Sequence, residues 1–228
     1  MHSRLRIPIL CISVMLTLSP GIVWADLIIY DNGAPDLSTA FLSDLDPNNV
    51  YGQIIEEATD FVLAEDFLLT DVHWWGVYWP DAELPIDDFT ISLFAAGAGG
   101  PGTLIESIDA GAVSRTDTSL DIQGLSLFSY SFVLATPVSL SGNTTYYMSI
   151  ANNTVNSSEG WFWAVSSYLS GDTSWSRYGL DGEWGLDEGE AAFYLTGSRE
   201  VVPEPATISL LGIGLASLAA ARARRGNH

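Results

Sequence analysis

Lysine is absent from the 228-residue chain, and of its eight arginines only Arg115 and Arg177 fall within residues 26–198. That stretch holds 26 of the 28 acids, a net charge of −24. Nucleic acid and anionic lipid are thereby excluded as partners, because little is present to displace their counterions. A body so charged repels itself and gains from salt or bound divalent cations; equally, the acidity serves solubility. The one cysteine, Cys11, lies near the N-terminus inside an apolar run. A disulfide framework, a thiol nucleophile and a Cys-ligated metal are therefore excluded from the body. His73 is the only histidine between the two ends. A zinc site built on a histidine cluster has no ligands, and a Ser-His-Asp triad would have to use His73 without a Gly-x-Ser-x-Gly elbow. His73 shares a strand face with Trp75, Val77 and Trp79, which reads as packing. There is no Gly-rich phosphate loop.

The two ends are apolar. Arg4 and Arg6 precede an uncharged run from Ile7 to Leu18, Ser19-Pro20-Gly21 breaks it, and Val23-Trp24-Ala25 supplies cleavage-site residues. Residues 1–25 read as a secretory signal peptide cut between Ala25 and Asp26 by signal peptidase. At the other end, Val202-Pro203-Glu204-Pro205 precedes an uncharged run over 206–221 and then Arg222-Ala223-Arg224-Arg225. Both prolines forbid helix in the box. The 16-residue run would span roughly 24 Å as a helix, short of a ~30 Å hydrocarbon core. Its six Leu and Ile residues supply roughly −3 kcal/mol for insertion, offset in part by Gly and Ser. This is a marginal transmembrane helix, suited to brief membrane residence. A helix packed on a soluble domain is the alternative. Arginines on the same side of both runs place everything between them outside the cytoplasm.

The box, short helix and Arg-rich end resemble the tripartite PEP-CTERM sorting signal of Gram-negative bacteria. The resemblance implies recognition by an exosortase, transient anchoring in the inner membrane, and delivery to the cell surface or extracellular matrix of organisms that make exopolysaccharide and biofilm. It implies sorting and leaves the activity of the body open.

Residues 26–198 form one domain by size, with 199–228 as the sorting tail. Their hydrophobic period is two. Phe89, Ile91 and Leu93 alternate with Thr90 and Ser92; Tyr130, Phe132 and Leu134 with serines; Tyr146, Met148 and Ile150 with polar neighbours; Phe193 and Leu195 with Tyr194 and Thr196. Further strands are expected at 27–30, 61–69, 72–79, 103–108 and 161–167. Turn chemistry at Asp31-Asn32-Gly33, residues 97–102, Ser141-Gly142-Asn143, Gly171-Asp172 and Asp181-Gly182 separates them. No helical period is kept for three turns. The fold class is all-β, an antiparallel β-sandwich or jelly-roll-like domain. The body also resembles others that carry such a tail, through Asn32-Gly33, Glu65-Asp66-Phe67, Phe89-Thr90-Ile91, Gly100-Pro101-Gly102, Tyr146-Tyr147, Phe162-Trp163-Ala164 and Ala192-Phe193-Tyr194-Leu195-Thr196-Gly197. That likeness supports the sandwich and names no reaction.

Two constellations are candidates for chemistry. Asp44, Asp46 and Asn48 place oxygen ligands at alternate positions, as calcium loops do. Asn49 and Ile55 stand where an EF-hand needs Gly and Glu, so the stretch is a looser Ca²⁺ site or an Asx-rich turn. Trp161 and Trp163 share a strand face, and Trp175, Tyr178 and Trp184 follow in a Gly- and Ser-rich region. Aromatic platforms beside carboxylates suit sugar rings, whereas packing in core or rim is the more common use of such residues. The expected body is a non-catalytic module for glycan or Ca²⁺-bridged polymer. A self-associating matrix protein and a glycoside-active enzyme using two carboxylates are the alternatives.

Overall fold

The computed structural model describes residues 27–80, 87–154, 158–168 and 174–199. The signal peptide with Ala25 and Asp26, the box at Val202, Pro203, Glu204 and Pro205, the transmembrane run and Arg222, Arg224 and Arg225 lie outside the described residues. Those described hold thirteen strands and no helix. They are β1 (Leu27–Asp31), β2 (Pro35–Leu42), β3 (Ile55–Val62), β4 (Phe67–Trp79), β5 (Phe89–Gly97), β6 (Gly100–Gly111) and β7 (Arg115–Ile122). Then follow β8 (Leu125–Leu140), β9 (Thr145–Asn152), β10 (Gly160–Ser166), β11 (Trp175–Tyr178), β12 (Gly185–Leu186) and β13 (Phe193–Arg199).

The strands make two sheets with antiparallel ladders. One runs β12-β11-β3-β9-β5-β6. The other is built on β4, which pairs with β8 along one side and with β13 and then β10 along the other; β7, β1 and β2 extend it. The sandwich expected from the alternation is present.

One expectation needs correction. The single strand placed at 61–69 is two, β3 ending at Val62 and β4 starting at Phe67. Phe61, Leu63, Phe67 and Leu69 are all buried. The chain turns between them in phase with its own pleat, so Leu63 and Phe67 keep the alternation with the exposed Glu65 as its one interruption. Two strands, β2 and β7, lack an alternation because they lie at sheet edges with much of both faces in solvent.

The core between the sheets is aromatic. Trp74 lies parallel to Tyr130 at 5.4 Å and meets Phe89 edge-on at 5.3 Å. Phe89 in turn meets Trp161 edge-on at 5.1 Å. Such edge and offset geometries suit the ring quadrupoles and add to area burial. Trp161 seats on β4 where Gly76 leaves room; a Cβ there would stand 2.6 Å from the indole. Gly76→Ala should therefore overpack the core by about 1–3 kcal/mol. A thermal melt reads this as a drop of several degrees, and an unchanged melting temperature would show that the indole can move aside.

Candidate functional site

The outer face of the second sheet carries a groove whose floor is set by strand register. Trp175, Ala58, Ser149, Ser92 and Ser107 stand in one row across β11, β3, β9, β5 and β6. Beside them on the same face lie Thr90, Ala151 and Glu56. Ser92, Ser107, Thr90 and Ala151 are small and leave a shallow trough along this face. Its walls are large: Phe94, Leu104, Leu180, Trp184 and Arg177 enclose about 510 Å³. Arg177, directly opposite Glu56 in the ladder, bonds its carboxylate through Nε at 2.7 Å and Nη2 at 2.5 Å. The same guanidinium lies 4.6 Å from the Trp184 ring centroid, and Trp184 meets Phe94 edge-on at 5.6 Å. Carboxylate, guanidinium and indole thus hold one another in a fixed stack.

The five aromatics singled out from the sequence separate here. Trp161 and Trp163 are fully buried between the sheets, and the Trp163 indole donates to the Ala192 carbonyl at 3.0 Å. Both belong to the core, and their reading as a sugar platform is corrected: the face they share points inward. Trp184 lines the groove. Trp175 is half-buried, on the same outer face, where its ring covers Gly100. Tyr178 is exposed on the alternate side of β11. Sequence reasoning missed Glu56, Arg177 and Phe94. The available signal was that Arg177 is one of two arginines in a strongly acidic body. His73 stacks parallel on Tyr194 at 4.1 Å, a packed histidine.

The Asp44–Asn48 stretch builds a junction. Asp44 Oδ1 accepts the Asp46 N–H at 2.8 Å, and Oδ2 accepts the Trp161 N–H at 2.9 Å. Asp46 Oδ1 accepts both the backbone and side-chain N–H of Asn48. These are Asx turns, with Asp44 tying the end of β2 to β10. Burial pushes the Asp44 carboxyl up to about 6 despite those donors. Among the described residues no group of three or more His, Cys, Asp or Glu side chains could hold a metal ion.

Two carboxyls lie buried on the inner side. Glu57 and Thr59 point inward from β3, and Glu190 accepts from the Thr59 hydroxyl and from Asn32 Nδ2 at 3.1 Å. Burial first, then the charges of Asp187 and Glu190, pushes the Glu57 carboxyl up to about 9 against a lowering contact from Ser174. At the opposite end of the ladder, Asp87 gathers the Tyr78 hydroxyl, Asn152 Nδ2 at 3.1 Å and Arg115 Nε at 3.1 Å. Burial still raises its pKa.

In its described part the protein is thus an all-β, two-sheet domain with a walled groove on an outer face of the second sheet. Residues 201–225 match the PEP-CTERM protein-sorting motif, so the chain carries that motif directly after the last strand. The motif implies processing by an exosortase and export with transit through the membrane. No curated protein matches the chain.

The Glu57 pKa sets a pH dependence. Between the unfolded value of 4.5 and about 9, the folded state binds more protons than the unfolded one. Stability therefore falls as pH rises through that window; Asp44 adds to the fall between 3.8 and about 6. Glu57→Gln should flatten the decline in melting temperature between pH 6 and 9. A slope identical to that of the unsubstituted protein would remove Glu57 as its origin.

Proposed function

We propose that the protein is an exported, cell-surface or matrix-associated module that binds neutral polysaccharide in the groove of the second sheet, without catalysis. The observation that carries this reading is the Trp184–Arg177–Glu56 stack above a floor of hydroxyls. A pyranose ring offers axial C–H bonds to an indole face and equatorial hydroxyls to carboxylate, guanidinium and serine oxygens. The ion pair and the cation–π contact hold these groups in place before ligand arrives, which cuts the ordering cost of binding. Charge selects a neutral sugar. The body's −24 repels polyanions, and the one guanidinium in the groove is matched by Glu56.

Binding is favoured over hydrolysis because Glu56 is the only carboxylate among the described lining residues. Glycoside cleavage uses two flanking carboxyls, roughly 5–5.5 or 6.5–9.5 Å apart. A second reading, self-association into a structural matrix, draws support from β6. Among the described residues this twelve-residue edge strand pairs with β5 alone, and it exposes Leu104 and Ile105. The exosortase is the processing partner in either case, and the exopolysaccharide layer is the destination we infer.

Purified exported protein should bind a subset of neutral polysaccharides on a glycan array while releasing no reducing sugar from them. Trp184→Ala should weaken that binding about tenfold or more with little change in melting temperature, since the ring is only half-buried. Failure to bind any glycan at millimolar sites on the array would sink the reading and leave the matrix protein. In a host with the sorting machinery, removal of 201–225 should abolish surface delivery while leaving glycan binding intact.

A further inference from the structure

We propose that the opposite outer face carries a second sugar-binding surface, centred on Trp79 and Tyr51, so that one molecule bridges two polysaccharide chains. This rests on the glycan reading of the first groove.

The alternation of β4 sends Trp74 and Tyr78 into the core and Trp75, Val77 and Trp79 to the outer face of the first sheet. Trp79, at the end of β4, is 43% exposed, and Tyr51, on the turn between β2 and β3, is 55% exposed. Their centroids lie 6.1 Å apart at 31°, and Tyr51 meets Phe162 edge-on at 6.2 Å. Three rings from three separate parts of the chain therefore form one continuous aromatic wall. It borders a hollow of about 290 Å³, just under the ~300 Å³ at which ordinary ligand pockets begin and so of a size for a single sugar unit.

The floor is small and firm. Val77, Ile122, Leu127, Ala164 and Ala192 form a buried cluster of their own beneath the hollow, separate from the core between the sheets. At the rim stands Gln123, on the turn between β7 and β8, with a left-handed φ of 53°. Its Nε2 donates to the Ser38 carbonyl at 2.8 Å, which fixes the amide beside the rings as a polar handle. No charged side chain is among the described residues lining the hollow. In a body of net −24 that is an unusual place, and it suits an uncharged ring, with stacking for affinity and one amide for orientation.

The geometry of the sandwich turns two sites into a bridge. The groove of Trp184 opens from the second sheet and the hollow of Trp79 from the first, with the whole aromatic core between them. Two faces that point apart engage two polymer strands, and simultaneous engagement raises avidity without any further contact.

The test uses the full exported protein and beads coated with whichever neutral polysaccharide from the panel (dextran, β-glucan, galactomannan) it binds. Unsubstituted protein should both bind and aggregate the beads. Trp79→Ala and Trp184→Ala should each retain residual binding through the remaining surface, weakened about tenfold or more, and lose aggregation; the double variant should lose both. Tyr51→Ala, at the more exposed ring, repeats the test should Trp79→Ala melt early. If Trp79→Ala and Tyr51→Ala aggregate beads as the unsubstituted protein does, through dimerisation or a single site, the second surface is overturned and the first stands. If the unsubstituted protein binds no polysaccharide of the panel, both fall together.

Discussion

The packing of indole and phenyl rings between two sheets is the constraint on which the remaining structure depends. Trp74, Phe89, Tyr130 and Trp161 touch in sequence across β4, β5, β8 and β10. Gly76 is the price of admitting Trp161 so close to a neighbouring strand. Because these rings saturate the interior, each strand has one face left for other uses. On β5 and β9 it bears hydroxyls and alanines; on β4 it bears Val77 and Trp79. The two outer surfaces differ accordingly, one with a groove floored by hydroxyls and walled by an ion pair, the other with an aromatic hollow that has no charged side chain among its described lining residues.

Charge imposes the second constraint. Within the described residues each arginine has a carboxylate: Arg115 has Asp87, Arg177 has Glu56, and Arg199 has Glu65. The Arg199 pair is exposed and contributes little. The other two are half-covered by aromatic rings and organise what surrounds them. With cations so scarce, burial of Glu57 is met by keeping its proton instead of by pairing. Acidity on the surface is cheap, whereas acidity in the interior links stability to pH.

Much of the scaffold was legible in the sequence, and particular residues show where legibility stops. The alternations of Phe89-Ile91-Leu93 and Tyr146-Met148-Ile150 mark β5 and β9, because one face of each must be apolar to reach the core. The joint between β3 and β4 was hidden because Leu63 and Phe67 stay in phase across it. β7, whose Arg-Thr-Asp-Thr-Ser-Leu-Asp-Ile carries hardly any period, offered no pattern to read. Sites were harder. Thr90 and Ser92 are visible as the polar side of a strand, yet only the fold shows that Trp184 and Arg177 cover them. The Arg177–Glu56 contact spans 121 residues, and no local spacing encodes it. Trp161 and Trp163 illustrate the opposite error, since an aromatic pair on one strand face gives no sign of which face looks outward. The tail needed no fold at all; its box and arginines are read in line, and residues 201–225 match the motif they suggested.

The distribution of indoles has an optical consequence. Trp74, Trp161 and Trp163 are sealed from water, while Trp79 and Trp184, with the half-buried Trp75 and Trp175, stand on the two outer surfaces. The chain therefore carries two populations of intrinsic fluorophore. The sealed set emits from an apolar surrounding and reports whether the sandwich is intact; the outer set is open to aqueous quenchers, and within it Trp79 and Trp184 report whether either surface is occupied.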